Sequence, residues 1–111
     1  MNYKKLEEDT YFFISSLVSY HLRANANYTT SKLAEKIGVS DSFLNKALSF
    51  NDNKHFNAEH LFLISDALII SPDNFFPSKD NYKLLTNKDL SDDEWDEIVE
   101  KLKHRKENNN D

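Results

Sequence analysis

An all-α fold follows from three features of the 111-residue chain. Apolar residues recur at intervals of three and four, polar capping residues stand in front of these runs, and the single glycine, Gly38, sits where one run ends and the next begins. From Lys4 to about Ala24, Leu6, Phe13, Ile14, Leu17, Val18 and Leu22 give one long amphipathic first helix. Tyr11-Phe12-Phe13 widens its apolar face, which suits ordinary core, a second subunit or the carboxy-terminal tail. Residues 24–28 form a linker, and Thr29 or Thr30 is the N-cap of the second helix.

That helix runs from about Thr30 to Ile37. Gly38 tolerates the left-handed conformation that closes a helix, a tight turn follows through Val39, and Ser40 caps a third helix over Asp41 to Ser49. Ala34, four residues before Gly38, is small enough for the third helix to cross closely, and Leu44, six after it, faces back. This is the spacing of a helix-turn-helix. Residues 50–56 form a polar loop. Asn57 caps a fourth helix from Ala58 to Leu68 with Leu61, Ile64 and Leu68 inward, and Ser71-Pro72-Asp73 opens a short helical turn ending at Pro77.

Residues 1–78 therefore read as one domain and the polar stretch 79–90 as a linker. Ser91-Asp92-Asp93-Glu94 is a capping box. Behind it Trp95, Ile98, Val99 and Leu102 make a narrow apolar stripe on a charged helix over 91–106. Such a helix is marginal alone, so the stripe needs a partner surface, on its own domain or on a second copy in a dimer. Residues 107–111 are expected to be disordered.

Composition narrows the function classes. The absence of cysteine excludes disulfides and thiolate metal sites. The amino terminus turns acidic where a signal peptide turns apolar, and no apolar run approaches the ~20 residues of a membrane span, so a soluble, cytoplasmic protein without membrane contact is expected. The net charge is −5. Residues 1–80 hold eight Lys/Arg against ten Asp/Glu, and residues 81–111 hold six against nine. Phosphate neutralisation supplies most non-specific DNA affinity, so a nearly neutral first part must present its few cations on one face.

Residues 29–76 resemble the Cro/repressor, or XRE-type, family of bacterial and phage DNA-binding domains. Thr29, Leu33, Ala34, Gly38, Val39, Ser40 and Leu44 match its second and third helices. Leu61, Ile64, Ser65, Ala67 and Leu68 match the fourth, and Ile70, Ser71, Phe75 and Phe76 match its closing segment. The resemblance implies a lambda-repressor-like helix-turn-helix domain of about five helices, here with an added carboxy-terminal amphipathic helix. It implies a transcriptional regulator, a repressor for preference, that binds a palindromic operator in double-stranded DNA as a homodimer.

Carried over by position, the third helix enters the major groove and sets Asp41, Ser42, Asn45 and Lys46 against base edges, with Phe43 against a thymine methyl. Asn45 lies close to the buried side of that helix. Asp41 departs from the family's usual Gln, Arg or Ser; it either accepts from cytosine or stabilises the helix dipole. Thr30, in place of the usual glutamine, and Asn51, Asn53 and Lys54 in the loop would hold the DNA backbone. His21 and Arg23 would add charge there, and Trp95, Ile98, Val99 and Leu102 would form the dimer contact.

Catalysis has little support. The four histidines are dispersed without metal-ligand spacing, and one glycine makes no phosphate cradle, so no cofactor or metal is expected. The competing reading is an acidic protein-interaction module that keeps the fold: an antirepressor, a phage inhibitor, or an antitoxin whose carboxy-terminal helix holds a basic protein partner.

Overall fold

Asp9 sets the start of the central helix. Its backbone is extended, and its carboxylate accepts hydrogen bonds from the amides of Tyr11 and Phe12 at 3.0 and 3.2 Å. The computed structural model describes residues 3–50 and 54–108, and of 105–108 only the helical backbone. It has α1 at Tyr3–Leu6 and α2 at Thr10–Ala24, in place of the single first helix expected from Lys4. The apolar spacing runs through both segments and hides the break, whereas the capping aspartate marks it.

The remaining elements are α3 (Thr30–Ile37), α4 (Asp41–Ser49), α5 (Ala58–Leu68), a 3-10 turn (Pro72–Phe75), α6 (Lys79–Thr86) and α7 (Asp92–Asn108). The class is all-α, with no strand among the described residues. Caps set the boundaries: Thr29, Ser40, Asn57, Ser71 and Ser78 each accept an amide of the following first turn.

α2 is the hub, packed against α1, α4, α6 and the 3-10 turn, while α3 packs on α4 and α5. Leu6, Phe13, Leu17, Leu33, Leu44, Ile64, Phe75, Tyr82 and Ile98 belong to one buried cluster. Burying each large apolar side chain contributes about 1.5–3 kcal/mol. Among the described residues no helix is long and apolar enough to cross a membrane.

Residues 79–90, expected to be a linker, contain α6. Its Tyr82 is buried in the common core, and the Tyr82 hydroxyl donates to Glu7 Oε2 at 2.9 Å. Burial first, and then this bond, push the Tyr82 phenol up to about 12. The other oxygen of Glu7 accepts from Lys101 Nζ at 3.1 Å, so one carboxylate ties α6 and α7 to the amino-terminal segment.

α7 begins with the expected box: Ser91 N donates to Glu94 Oε1 at 2.9 Å and Glu94 N to Ser91 Oγ at 3.1 Å. Its apolar stripe meets the chain's own core. Ile98 is buried, Trp95 and Leu102 pack beside it, and the Trp95 ring stands edge-on to Phe13 at 6.4 Å. Val99 is half-buried. The stripe expected to meet its own domain or a second copy thus packs in part on its own chain, with Ile98 buried and Trp95, Val99 and Leu102 half-buried, because α6 brings α7 back alongside α2 where a linker was expected. Residues 107 and 108, expected to be disordered, are the last of α7, and 109–111 lie outside the described residues.

Candidate nucleic-acid interface

The corner between α3 and α4 is fixed by its backbone. Gly38 has φ 78°; Val39 N donates to Ala34 O at 3.0 Å, and Gly38 N donates to the oxygens of Ala34 and Glu35 at 3.0 and 3.3 Å. This is the double closure of a helix ending in a left-handed residue. A Cβ at position 38 would meet nothing within 4 Å, so the dihedral, and not crowding, requires the glycine. Two residues on, Ser40 Oγ accepts from Phe43 N at 3.0 Å and starts α4 in a new direction.

α4 has two faces. Leu44 and Ala47 are fully buried, with Ala34 of α3 beneath them in the same core. Asp41, Ser42, Asn45, Lys46 and Ser49 are exposed. Asn45, expected near the buried side, therefore stands on the outer face with Ser42 and Lys46.

Two of the expected contacts change character. Phe43 is half-buried, its ring 4.9 Å from that of His60 and edge-on to Phe56 at 6.3 Å. Part of the ring thus packs onto its own domain, and the rest stays open to solvent. Asp41 Oδ2 accepts from Ser31 Oγ at 2.7 Å, which latches the first turn of α4 to the first turn of α3. The sequence reading offered Asp41 a base or the helix dipole; the latch joins residues ten apart and depends on how the two helices cross.

Thr29, and not Thr30, caps α3, its hydroxyl accepting from Lys32 N at 3.1 Å. Thr30 is the first helical residue and is half-buried. In the loop, Lys54 is exposed, while Asn51 and Asn53 lie outside the described residues. The loop is bracketed by aromatic contacts that sequence reasoning missed. Phe50 stands edge-on to Phe12 at 5.7 Å with Lys5 Nζ 4.9 Å from its centre, and His55 stacks on Tyr11 at 4.0 Å. Tyr11 and Phe12, which widened the first helix's apolar face, thereby anchor both ends of the loop. The signal was present in that aromatic pair, but its partners lie about forty residues away.

His21 turns inward. Its Nε2 is buried with no hydrogen-bond partner among the described residues, its ring is edge-on to Phe75 at 5.6 Å, and burial holds its pKa below the ordinary 6.5. Burial thus disfavours the charged form of its ring, whereas Arg23 near it is exposed. His60 Nδ1 accepts from Asn57 N at 3.1 Å, a reciprocal cap at the start of α5. Among the described residues no three His, Asp or Glu side chains converge to hold a metal ion.

In the sequence around α4, residues 29–60 carry four lysines against four carboxylates. Of these carboxylates, Asp41 is already engaged by Ser31. No protein-family model matches the chain, and no curated protein or solved structure is significantly similar to it.

Proposed function

We propose that the chain is a sequence-specific DNA-binding regulator of the XRE type, a lambda-repressor-like helix-turn-helix domain that reads the major groove with the outer face of α4. The observation that carries this reading is the placement of Ser42, Asn45 and Lys46 on one exposed face of a short helix whose other face is fully buried. Asn45 matches the donor and acceptor pair of an adenine edge, Lys46 matches guanine O6/N7, and Ser42 donates or accepts. The Ser31–Asp41 hydrogen bond, between two exposed side chains, adds to the backbone corner at Gly38 in supporting this presentation. Lys54 and the amino end of α3 at Thr30 are the candidates for phosphate contact, which orients the domain without reading sequence.

One helix reads only a few base pairs, so useful specificity calls for two of them about 34 Å apart on a palindrome. A homodimer belongs to this proposal; Ile98 is buried in cis, while the half-buried Trp95, Val99 and Leu102 keep part of their surface for a contact. Lys46→Ala tests the base-reading role. Binding to the preferred duplex should weaken by ~1–3 kcal/mol, with relaxed preference at one position. Equal affinity of variant and parent for that duplex would remove Lys46 from the interface.

The second reading, an acidic protein-interaction module, is favoured by one observation. Residues 73–104 hold nine Asp/Glu against five lysines, and residues 1–72 hold eight against seven Lys/Arg, so the negative excess lies away from α4 in the sequence.

A further inference from the structure

The 3-10 turn and α6 frame two adjoining grooves on the acidic part of the chain. The larger, about 570 Å³, is lined by Asp73, Phe76, Pro77, Asp80 and Asn81 among others. The second, about 360 Å³, is lined by Asp80, Lys83, Leu84 and Asn87, so the two meet at Asp80. Each has an apolar floor open to solvent, for Phe76 is 43 % and Leu84 39 % exposed.

The polar lining is mixed, with Asp73 and Asp80 as its carboxylates and Lys83 as its cation. The Asn81 side-chain amide donates to the backbone oxygens of Asp73 and Phe76 at 3.0 and 2.8 Å, which directs its N–H groups to the chain itself and leaves a carbonyl acceptor. The lysines of α6 are engaged, Lys79 with Asp92 at 2.5 Å and Lys83 with Asp89 at 3.0 Å. Asp73 and Asp80 form no ion pair among the described residues. With Lys83 neutralised by Asp89, the carboxylates of Asp73 and Asp80 are the charges left without an ion pair over this aromatic and aliphatic surface.

We propose that these grooves dock a cationic amphipathic helix of another protein. An arginine of that helix lies between Asp73 and Asp80 with its guanidinium over the Phe76 ring, and an apolar side chain one turn further on rests against Leu84. A guanidinium matches this combination of carboxylate and ring, using its fork for the first and its flat face for the second. Asp80 and Leu84 are one helical turn apart, which is the spacing of successive residues on one face of a partner helix. The negative excess of residues 73–104 attracts such a segment and repels nucleic acid. The chain's own basic stretch is the weaker occupant: Lys101 is bonded to Glu7 and Lys103 to Glu100 within the chain.

The test uses the full chain and a blocked, fluorescent synthetic peptide of about four helical turns, with arginine and leucine in alternate turns along one face. A second peptide has the same composition with these residues permuted off that face. Anisotropy should show saturable binding of the first, weakened about tenfold or more by Asp73→Asn/Asp80→Asn and by Leu84→Glu, with unchanged far-UV circular dichroism. Equal affinity for the permuted peptide, or for parent and variants alike, would overturn the proposal. So would sedimentation showing a dimer of the parent that the Asp73→Asn/Asp80→Asn variant loses, since the occupant would then be a second copy. None of these readouts involves DNA, so the proposal stands or fails separately from the DNA-binding reading.

Discussion

Ile69 ends α5 at φ 58° with 89 % of its surface exposed, while Ile70 N reaches back to Ser65 O at 3.0 Å. Gly38 closes α3 in the same way at no steric cost, whereas a β-branched residue in this conformation is strained. Ile69→Gly should therefore stabilise the domain by about 1 kcal/mol, read as a raised midpoint in urea; a lowered midpoint would show that the isoleucine contributes packing. His21 gives a pH dependence. Its folded-state pKa is depressed by burial, so the unfolded chain binds the proton more readily. Its contribution is complete above about pH 6.5 and is lost as pH falls from there through the lower folded-state value. The melting temperature should drop between pH 7.5 and 5.5 and do so less in His21→Phe; parallel profiles would exclude His21 as the cause. Local signals such as Gly38, Ser40 and the Ser91–Glu94 box were legible in the sequence. The Asp41–Ser31 latch and the inward turn of His21 were not, because each depends on a neighbour set by helix crossing.

At the scale of elements, α3, α4 and α5 occupy the spans their caps and apolar spacing predict, since each carries both signals. α6 does not announce itself. Its sequence Lys-Asp-Asn-Tyr-Lys-Leu-Leu-Thr is polar, and only Tyr82 and Thr86 are buried. The Ser78 cap, accepting from Asn81 N at 3.0 Å, was the readable clue. This polar sequence hides the route that carries α7 back to α2, and so leaves the Trp95–Leu102 stripe open between its own domain and a second subunit. Ile98→Ala tests the packing found. It should cost about 2–4 kcal/mol, with the same shift in unfolding midpoint at low and high protein concentration. A loss that depends on concentration would place Ile98 between subunits.

For the whole molecule, charge and core are distributed differently. One buried cluster joins Phe13, Leu44, Tyr82 and Ile98, so α7 and α4 belong to the same packed unit. The negative excess, by contrast, is concentrated in residues 73–104, leaving residues 1–72 one charge below neutral. On the proposed DNA-binding reading, so small a charge would draw little on phosphate attraction, base contacts from α4 would supply more of the affinity, and the salt slope should be shallow. The most direct test is selection of binding sites from random duplex DNA by the full chain at two salt concentrations. Enrichment of a palindrome whose half-sites are one helical turn apart, bound more weakly at the higher salt and lost in a Ser42→Ala/Asn45→Ala/Lys46→Ala variant, is the predicted result. No enrichment even in dilute buffer, or an enriched site that the triple variant binds equally well, would contradict it.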